Sequence, residues 1–263
     1  MKEESVMSFT KLAVRFAAPV PNPDSFQRYL FLGPHPDDIE IGAGASIAAL
    51  AAKGKDICFL IVTDGRYGDS QAPEGVRGDD LAALRKEESL KSAAALGVTD
   101  VRFLGLSDGG FYTEEELLRG IAGVIADFQP DILFAPDPFV SSECHTDHLN
   151  TGRAARTLAV NAGNRGIMEK LGASPVPVKA IAFYMTAKPN RYIDTSGFFE
   201  TQLDSVFKNH LSQYPEGSED AASIQLYLKL RAYEFGIRTF HKTAEGFRVL
   251  GSLHMHCLPE AGN

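Results

Sequence analysis

The chain has 263 residues, of which 44% are hydrophobic and 23% charged. That is enough for one large α/β domain with a buried core, and it leaves no case for disorder. The formal net charge of −8, without a cluster of Lys and Arg, excludes a general nucleic-acid binder, because phosphate contacts need such clusters. A neutral or weakly charged small substrate fits better, and neither nucleic acid nor membrane is expected as a partner.

In chain order, Met1–Ser8 mixes Lys2 with Glu3 and Glu4 and lacks the apolar stretch of a secretory signal. Arg28–Leu32 reads as a strand and Ala43–Lys53 as a helix ended by Gly54, since glycine readily takes the left-handed conformation after a last turn. Asp56–Val62 is nearly continuously apolar, as in a strand buried on both faces. Its Ile57–Val62 run is far shorter than the ~20 residues a membrane span requires. Asp80–Leu96 is a predicted helix with Arg85, Glu88 and Ser92 on its polar face, stopped by Gly97. Strands at Val101–Leu104 and Ile132–Ala135 flank a helix at Glu114–Asp127. A further helix is expected from His148, a strand at Ala180–Met185, and helices at Glu200–Tyr214 and Ala221–Phe235.

Alternating strands and helices imply a Rossmann-like α/β fold: a mostly parallel sheet with helices on both faces, in a single domain over residues 1–263. Such sheets bind ligands beyond the carboxyl ends of their strands, here just after Leu32, Val62, Leu104 and Ala135. Three cysteines (Cys58, Cys144, Cys257) with no C-x-x-C pair give no disulfide framework and point to a reducing, cytoplasmic setting.

Two of those strand ends carry ligand-type side chains. Gly33-Pro-His35-Pro-Asp37-Asp38-Ile-Glu40 follows the first strand, and Cys144-His145-Thr-Asp147-His148 follows the fourth. Together they can supply His35, Asp38 and His148 to one ion and leave a position for water, which is how catalytic zinc sites are built. The same donors suit Fe(II). Asp37 cannot share the direction of Asp38 and is free to act as general base. His145 can stabilise an oxyanion if protonated. Read alone, Thr63-Asp64-Gly65 and Asp108-Gly-Gly110 are turns, Arg85 and Glu87-Glu88 a solvated helix face, and Cys144 and Cys257 inert. Gly42-Ala-Gly44 matches a dinucleotide loop poorly, because Ile47 stands where the third glycine belongs.

In order along the chain, the two clusters, Thr63-Asp64-Gly65, Arg85-Lys-Glu-Glu88, Leu96-Gly97, His210-Leu-Ser-Gln213 and Glu245-Gly-Phe-Arg248 resemble the PIG-L/LmbE-like N-acetylglucosamine deacetylases over roughly residues 29 to 259. Phe134–Pro138, Lys188-Pro-Asn190 and the tail Glu245–Pro259 are most similar to the diacetylchitobiose deacetylases within that family. Ile39 departs from the pattern, since many members have Glu directly after the two Asp residues, and Glu40 is not an assured substitute.

The resemblance implies removal of the N-acetyl group of a GlcNAc-type sugar. It implies zinc on His35, Asp38 and His148, Asp37 as base, His145 as electrostatic stabiliser, and Arg85 and Asp108 on sugar hydroxyls. It also implies a homo-oligomer, a hexamer in the closer subfamily, in which a carboxyl-terminal histidine reaches a neighbouring active site. His256 matches that position and His254 competes for it. The rival readings are a metal hydrolase of a non-sugar amide or of an ester, a non-catalytic sugar-binding protein on the same fold and, third, a nucleotide-binding module.

Overall fold

The computed structural model describes residues 9–256 and 258. Met1–Ser8, Cys257 and Pro259, which entered the sequence expectations, lie outside the described residues. The elements in order are α1 (Phe9–Ala17), β1 (Arg28–Gly33), α2 (Asp38–Ala52), β2 (Asp56–Thr63), α3 (Asp79–Ala95), β3 (Asp100–Leu106), α4 (Glu114–Phe128) and β4 (Ile132–Pro136). They continue with α5 (Thr146–Asn161), α6 (Arg165–Lys170), β5 (Ala180–Tyr184), β6 (Arg191–Asp194), α7 (Phe199–Phe207), α8 (Glu219–Thr239) and β7 (Ala244–Gly251).

The seven strands form one sheet in the order β3-β2-β1-β4-β5-β7-β6. β1 to β5 run parallel, whereas β7 pairs antiparallel with both β5 and β6. The expected mostly parallel α/β sheet is present. Strand order reverses between β1 and β4, which makes a crevice at their carboxyl ends.

Side chains alternate across each strand. Leu30, Leu32, Leu60, Val62 and Leu133 pack on one face against Leu117, Ile121 and Ile125 of α4 and Ala155 and Leu158 of α5. Tyr29, Phe31, Phe59, Ile61 and Phe134 pack on the other against Ile39, Ala43 and Ile47 of α2. A further cluster of Phe199, Leu203, Leu228 and Ala232, with Ile41, lies outside α2, so that helix is covered on both sides. Among the described residues no helix is long and apolar enough to cross a membrane.

Four expectations need correction. α2 starts at Asp38 rather than Ala43, so Asp38 and Glu40 are helical. α5 starts at Thr146, two residues before His148. α7 ends at Phe207, and the segment to Tyr214 is a chain of turns. β6 and β7 were not expected as strands.

The Gly42-Ala-Gly44 segment proves to be a helix contact. A Cβ on Gly42 falls 2.2 Å from Cδ2 of Tyr184, and one on Gly44 falls 2.8 Å from Cγ of Gln202. The Tyr184 ring cannot withdraw, because it is fully buried and its hydroxyl donates to the Leu32 carbonyl at 2.7 Å. Gly42→Ala is therefore expected to destabilise by about 1–3 kcal/mol through overpacking. Gly123→Ala, in α4 with open space around it, should instead stabilise by roughly 0.5–1 kcal/mol. Urea unfolding of the two variants measures both signs.

Candidate active site

β1 delivers the chain into the crevice, and the loop after it turns back into α2 within four residues. The His35 backbone N–H donates to Asp38 Oδ2 at 2.8 Å, and His35 Nδ1 lies 3.0 Å from the same oxygen. Asp37 occupies the N-cap position of α2 at φ 124°, and its carboxylate makes no capping bond. That backbone state is rare for a non-glycine residue and costs of order 1–3 kcal/mol. It aims the carboxylate away from the helix. Tyr214 Oη donates to Asp37 Oδ2 at 3.3 Å, and the Arg85 guanidinium lies 3.4 Å from Oδ1.

β4 delivers the second group. His145 caps α5, its Nδ1 3.4 Å from the Asp147 N–H. Accepting there leaves the ring proton on Nε2. One turn into the helix, His148 Nε2 lies 3.3 Å from Asp38 Oδ1. The His35 ring centroid is 4.5 Å from that of His145 and 5.3 Å from that of His148. One nitrogen from each of these three histidines lies within 4.8 Å of the others, a group that could hold a metal ion.

Behind two of the histidines stands a carboxylate. His35 Nε2 is 3.1 Å from Asp147 Oδ2, and His148 Nδ1 is 3.0 Å from Glu143 Oε2. Such partners fix the tautomer of a metal-binding histidine and turn its other nitrogen to the ion. Here the nitrogens so presented are His35 Nδ1 and His148 Nε2, the two that face Asp38. Two donors about 2.1 Å from one tetrahedral ion stand about 3.4 Å apart. The separations of 3.0 and 3.3 Å are close to that, so the donor set fits a divalent cation.

Each ionisable group of the cluster is shifted by its neighbours. Burial lowers the His35 pKa, but hydrogen bonds to Asp147 and Asp38 outweigh it and raise the group to about 10. Burial also lowers His148, and the Asp38 charge lifts it to about 9. Burial raises Asp38, yet His148 and His35 hold it well below the usual carboxylate range. Asp147 ends at about 2 because the bonds from His35, Gly109 and Tyr112 overcome burial. Asp37 differs: burial dominates over Arg85 and pushes it up to about 6. The His145 pKa is lowered by burial and by the charges of His35 and His148.

A family model described as GlcNAc-PI de-N-acetylase, PIG-L, matches residues 30–159. The diacetylchitobiose deacetylase of Thermococcus kodakarensis is 34% identical over 239 residues, covering 89% of this chain and 87% of the relative. The chain belongs to the PIG-L family. A 1D-myo-inositol 2-acetamido-2-deoxy-alpha-D-glucopyranoside deacetylase of Kineococcus radiotolerans is 30% identical over 200 residues, or 64% of this chain and 54% of the relative. Among solved structures, the N,N'-diacetylchitobiose deacetylase of Pyrococcus horikoshii in complex with its inhibitor MPG aligns with a TM-score of 0.84 at 29% identity, covering 97% of this chain and 98% of that one. The 4-carboxy-2-hydroxymuconate hydratase of Pseudomonas putida aligns with a TM-score of 0.71 at 18% identity, covering 85% and 96%. That likeness is one of fold alone.

The PIG-L motifs converge. His35, Asp37, Asp38, His145 and His148 meet in the crevice. Arg85 is no solvated residue: at 3% exposure it donates to the Pro36 and Gly65 carbonyls beside Asp37. Asp108 is buried and accepts from the Tyr67 N–H. Glu40 is fully buried with Oε1 3.1 Å from His210 Nε2, so it ties the turns after α7 to α2. His256 lies in the turn after β7, its N–H donating to the Leu253 carbonyl, and is not part of the histidine group. Sequence reasoning missed Asp147, Glu143 and Tyr214 as partners. The bias of His-binding carboxylates toward ligands could have flagged Asp147 inside its own motif, whereas Tyr214 left no local signal.

Two outcomes test this PIG-L centre. Asp147→Asn should weaken Zn2+ affinity about 10- to 100-fold, read by competition with a chromophoric chelator. In the metal-free protein His35 and His148 hold protons at pH 7, and protons compete with the cation. Zn2+ affinity should therefore climb from pH 7 to about 10 and level off above the two pKa values. Calorimetry in buffers of different ionisation enthalpy counts the protons released.

Proposed function

We propose that the protein is a metal-dependent deacetylase that hydrolyses the N-acetyl group of a GlcNAc-type sugar, releasing acetate and a free amine. The observation that carries this reading is Asp37. It is a buried carboxylate in a strained backbone state, spent on no helix cap, beside a group of residues suited to a cation. A binding site for a sugar or a structural ion has no use for such a base. The relatives named for deacetylation of GlcNAc-containing compounds support the substrate class.

His35 Nδ1, Asp38 and His148 Nε2 are the ligands we assign, with Zn2+ as the ion and Fe2+ as a chemical alternative for the same donors. Asp38 is preferred to His145 as third ligand because it contacts both other ligands, while His145 is half exposed and caps α5. A cation held there supplies Lewis acidity toward the amide carbonyl and brings the pKa of water near neutrality. Asp37, raised to about 6, accepts the water proton and passes it to the leaving amine. Arg85 and Tyr214 keep its carboxylate in place. His145 donates its Nε2–H to the oxyanion that forms at the carbonyl. Arg85 and Asp108, on the β2–β3 side of the crevice, are assigned to ring hydroxyls.

We also assign a homo-oligomer, with a hexamer as its form and His256 reaching a neighbour's site. His254 is the weaker candidate, because its Nε2 is engaged 2.8 Å from the Ala18 carbonyl and its Nδ1 accepts from the Gly251 N–H. A buried Cys58 and an exposed, unpaired Cys144 support a reducing, cytoplasmic setting.

Asp37→Asn keeps the shape and removes the base. Acetate release from diacetylchitobiose should drop about 10²- to 10⁴-fold, while metal content by elemental analysis stays at the wild-type value. Undiminished turnover in a metal-replete variant removes Asp37 from the reaction.

A further inference from the structure

The Glu245-Gly-Phe-Arg248 motif takes no part in the reaction described above, yet its first residue stands where a core side chain belongs. Side chains alternate along β7, and Phe247 and Val249 lie in the cluster that faces α2. Glu245 is on the same face. Burial pushes its pKa up to about 7, against the bonds it accepts from Ser46 and Ala45, so a charge is held there at a cost. An apolar residue would fill the position at least as well for stability.

The carboxylate meets the backbone of α2 in mid-helix. Its Oε2 accepts from the Ser46 N–H at 2.8 Å and its Oε1 from the Ala45 N–H at 3.3 Å. From α7, Gln202 Nε2 donates to the Glu40 and Ile41 carbonyls at 2.9 and 3.1 Å. In a regular helix the Ala45 N–H and the Ile41 carbonyl bond to each other. Here each is met by a side chain, one from β7 and one from α7. Backbone groups need such partners in the first and last turns of a helix, not in its middle. Side chains that enter the ladder are among the causes of helix bends. The joint runs through Gly42-Ala-Gly44, where the backbone is least restrained by side chains.

Beyond this joint lies the turn that carries Asp38. The body of α2 is fixed in the core through Ile47 and Leu50, so a change at the joint is expressed in the first turn. At 1.5 Å per residue Asp38 is about 10 Å from Ala45, and a change of about 5° in direction moves it by about 1 Å. A metal site tolerates only about 0.2 Å in its ligand distances.

We propose that Glu245, together with Gln202, is a positioning residue for the metal centre: it holds the joint in α2 that sets Asp38 against His35 and His148. It touches neither the ion nor the substrate. The proposal rests on the assignment of Asp38 as a ligand, and adds a residue far along the chain on which the place of that ligand depends.

Three readings test it: Zn2+ affinity by chelator competition, the visible spectrum of the Co2+-substituted protein, and the thermal midpoint of the metal-free protein. They are taken on the wild type, Glu245→Gln, Gln202→Met and Asp38→Asn. Glu245→Gln keeps the shape but turns an amide NH2 toward one of the two N–H groups. It should weaken Zn2+ binding about tenfold and shift the Co2+ bands. Its kcat for diacetylchitobiose should fall with KM within about twofold of wild type. Gln202→Met, which removes the donor on the other side of the joint, should act in the same direction. Wild-type affinity and Co2+ spectrum in a folded Glu245→Gln overturn the proposal. So does an affinity loss with an unchanged Co2+ spectrum and a lowered thermal midpoint, which is a loss of stability alone. If Glu245→Gln does not fold, the same readings on Gln202→Met decide. Asp38→Asn should lose more Zn2+ affinity than either. Wild-type affinity in Asp38→Asn removes the ligand assignment, and this inference with it.

Discussion

A single buried carboxylate, Asp147, ties three separate parts of the chain to one point. It is wholly excluded from solvent, and it accepts from the N–H groups of Gly109 and Gly110 at 2.7 and 2.9 Å, from Tyr112 Oη at 2.8 Å, and from the His35 ring at 3.1 Å. A buried ion with so many donors keeps its charge and loses little to desolvation. The loop after β3 can offer two consecutive N–H groups because Gly109 and Gly110 both stand at φ 79°, where other residues are strained. Thus the loops after β1 and β3 and the first turn of α5 are set against each other by one residue, and the histidine face is built on that junction.

The rest of the centre follows from how α2 is held. Its first turn carries Asp38, and its body is pressed between the sheet and α7 with glycines at the closest approaches. A helix so confined has no freedom to slide, so the distance from Asp38 to His148 is set by strand order and helix packing together. The turns after α7 close over the other side. Ser212 binds both oxygens of Glu88 through its N–H and hydroxyl, Gln213 donates to the Gly68 carbonyl, and Tyr214 reaches Asp37. This cover removes Arg85 and Asp37 from water and produces the raised pKa of the latter.

The parallel core of the fold was legible because β1, β2, β4 and β5 are short apolar runs punctuated by turn residues, and α2 and α3 are followed by Gly54 and Gly97. What escaped was decided by contacts distant in sequence. Asp38-Ile-Glu40 reads as a polar loop, yet it opens a helix whose carboxylates are met by His148 and His210, 110 and 170 positions away. His210–Tyr214 continues a helical pattern, but four of its side chains are drawn off by α2, α3 and the loop after β2. β6 is four residues long and half charged, and β7 is interrupted by Gly246, so neither has the alternation of a strand. The ligand-type residues stood out by their density after two strands. Their supporting carboxylates did not, because Asp147 and Glu143 differ from surface acids only in what the fold brings to them.

Asp37 shows how narrow the choices at one position can be. Its φ of 124° penalises every side chain, and only glycine would sit there without strain. Stability alone thus favours the one residue that has no functional group. A single change to glycine at this position would firm the fold, and if Asp37 is the base proposed above it would remove the reaction in the same step. The fold gives no return for the strain, because the Asp37 carboxylate makes no capping bond to the helix it precedes.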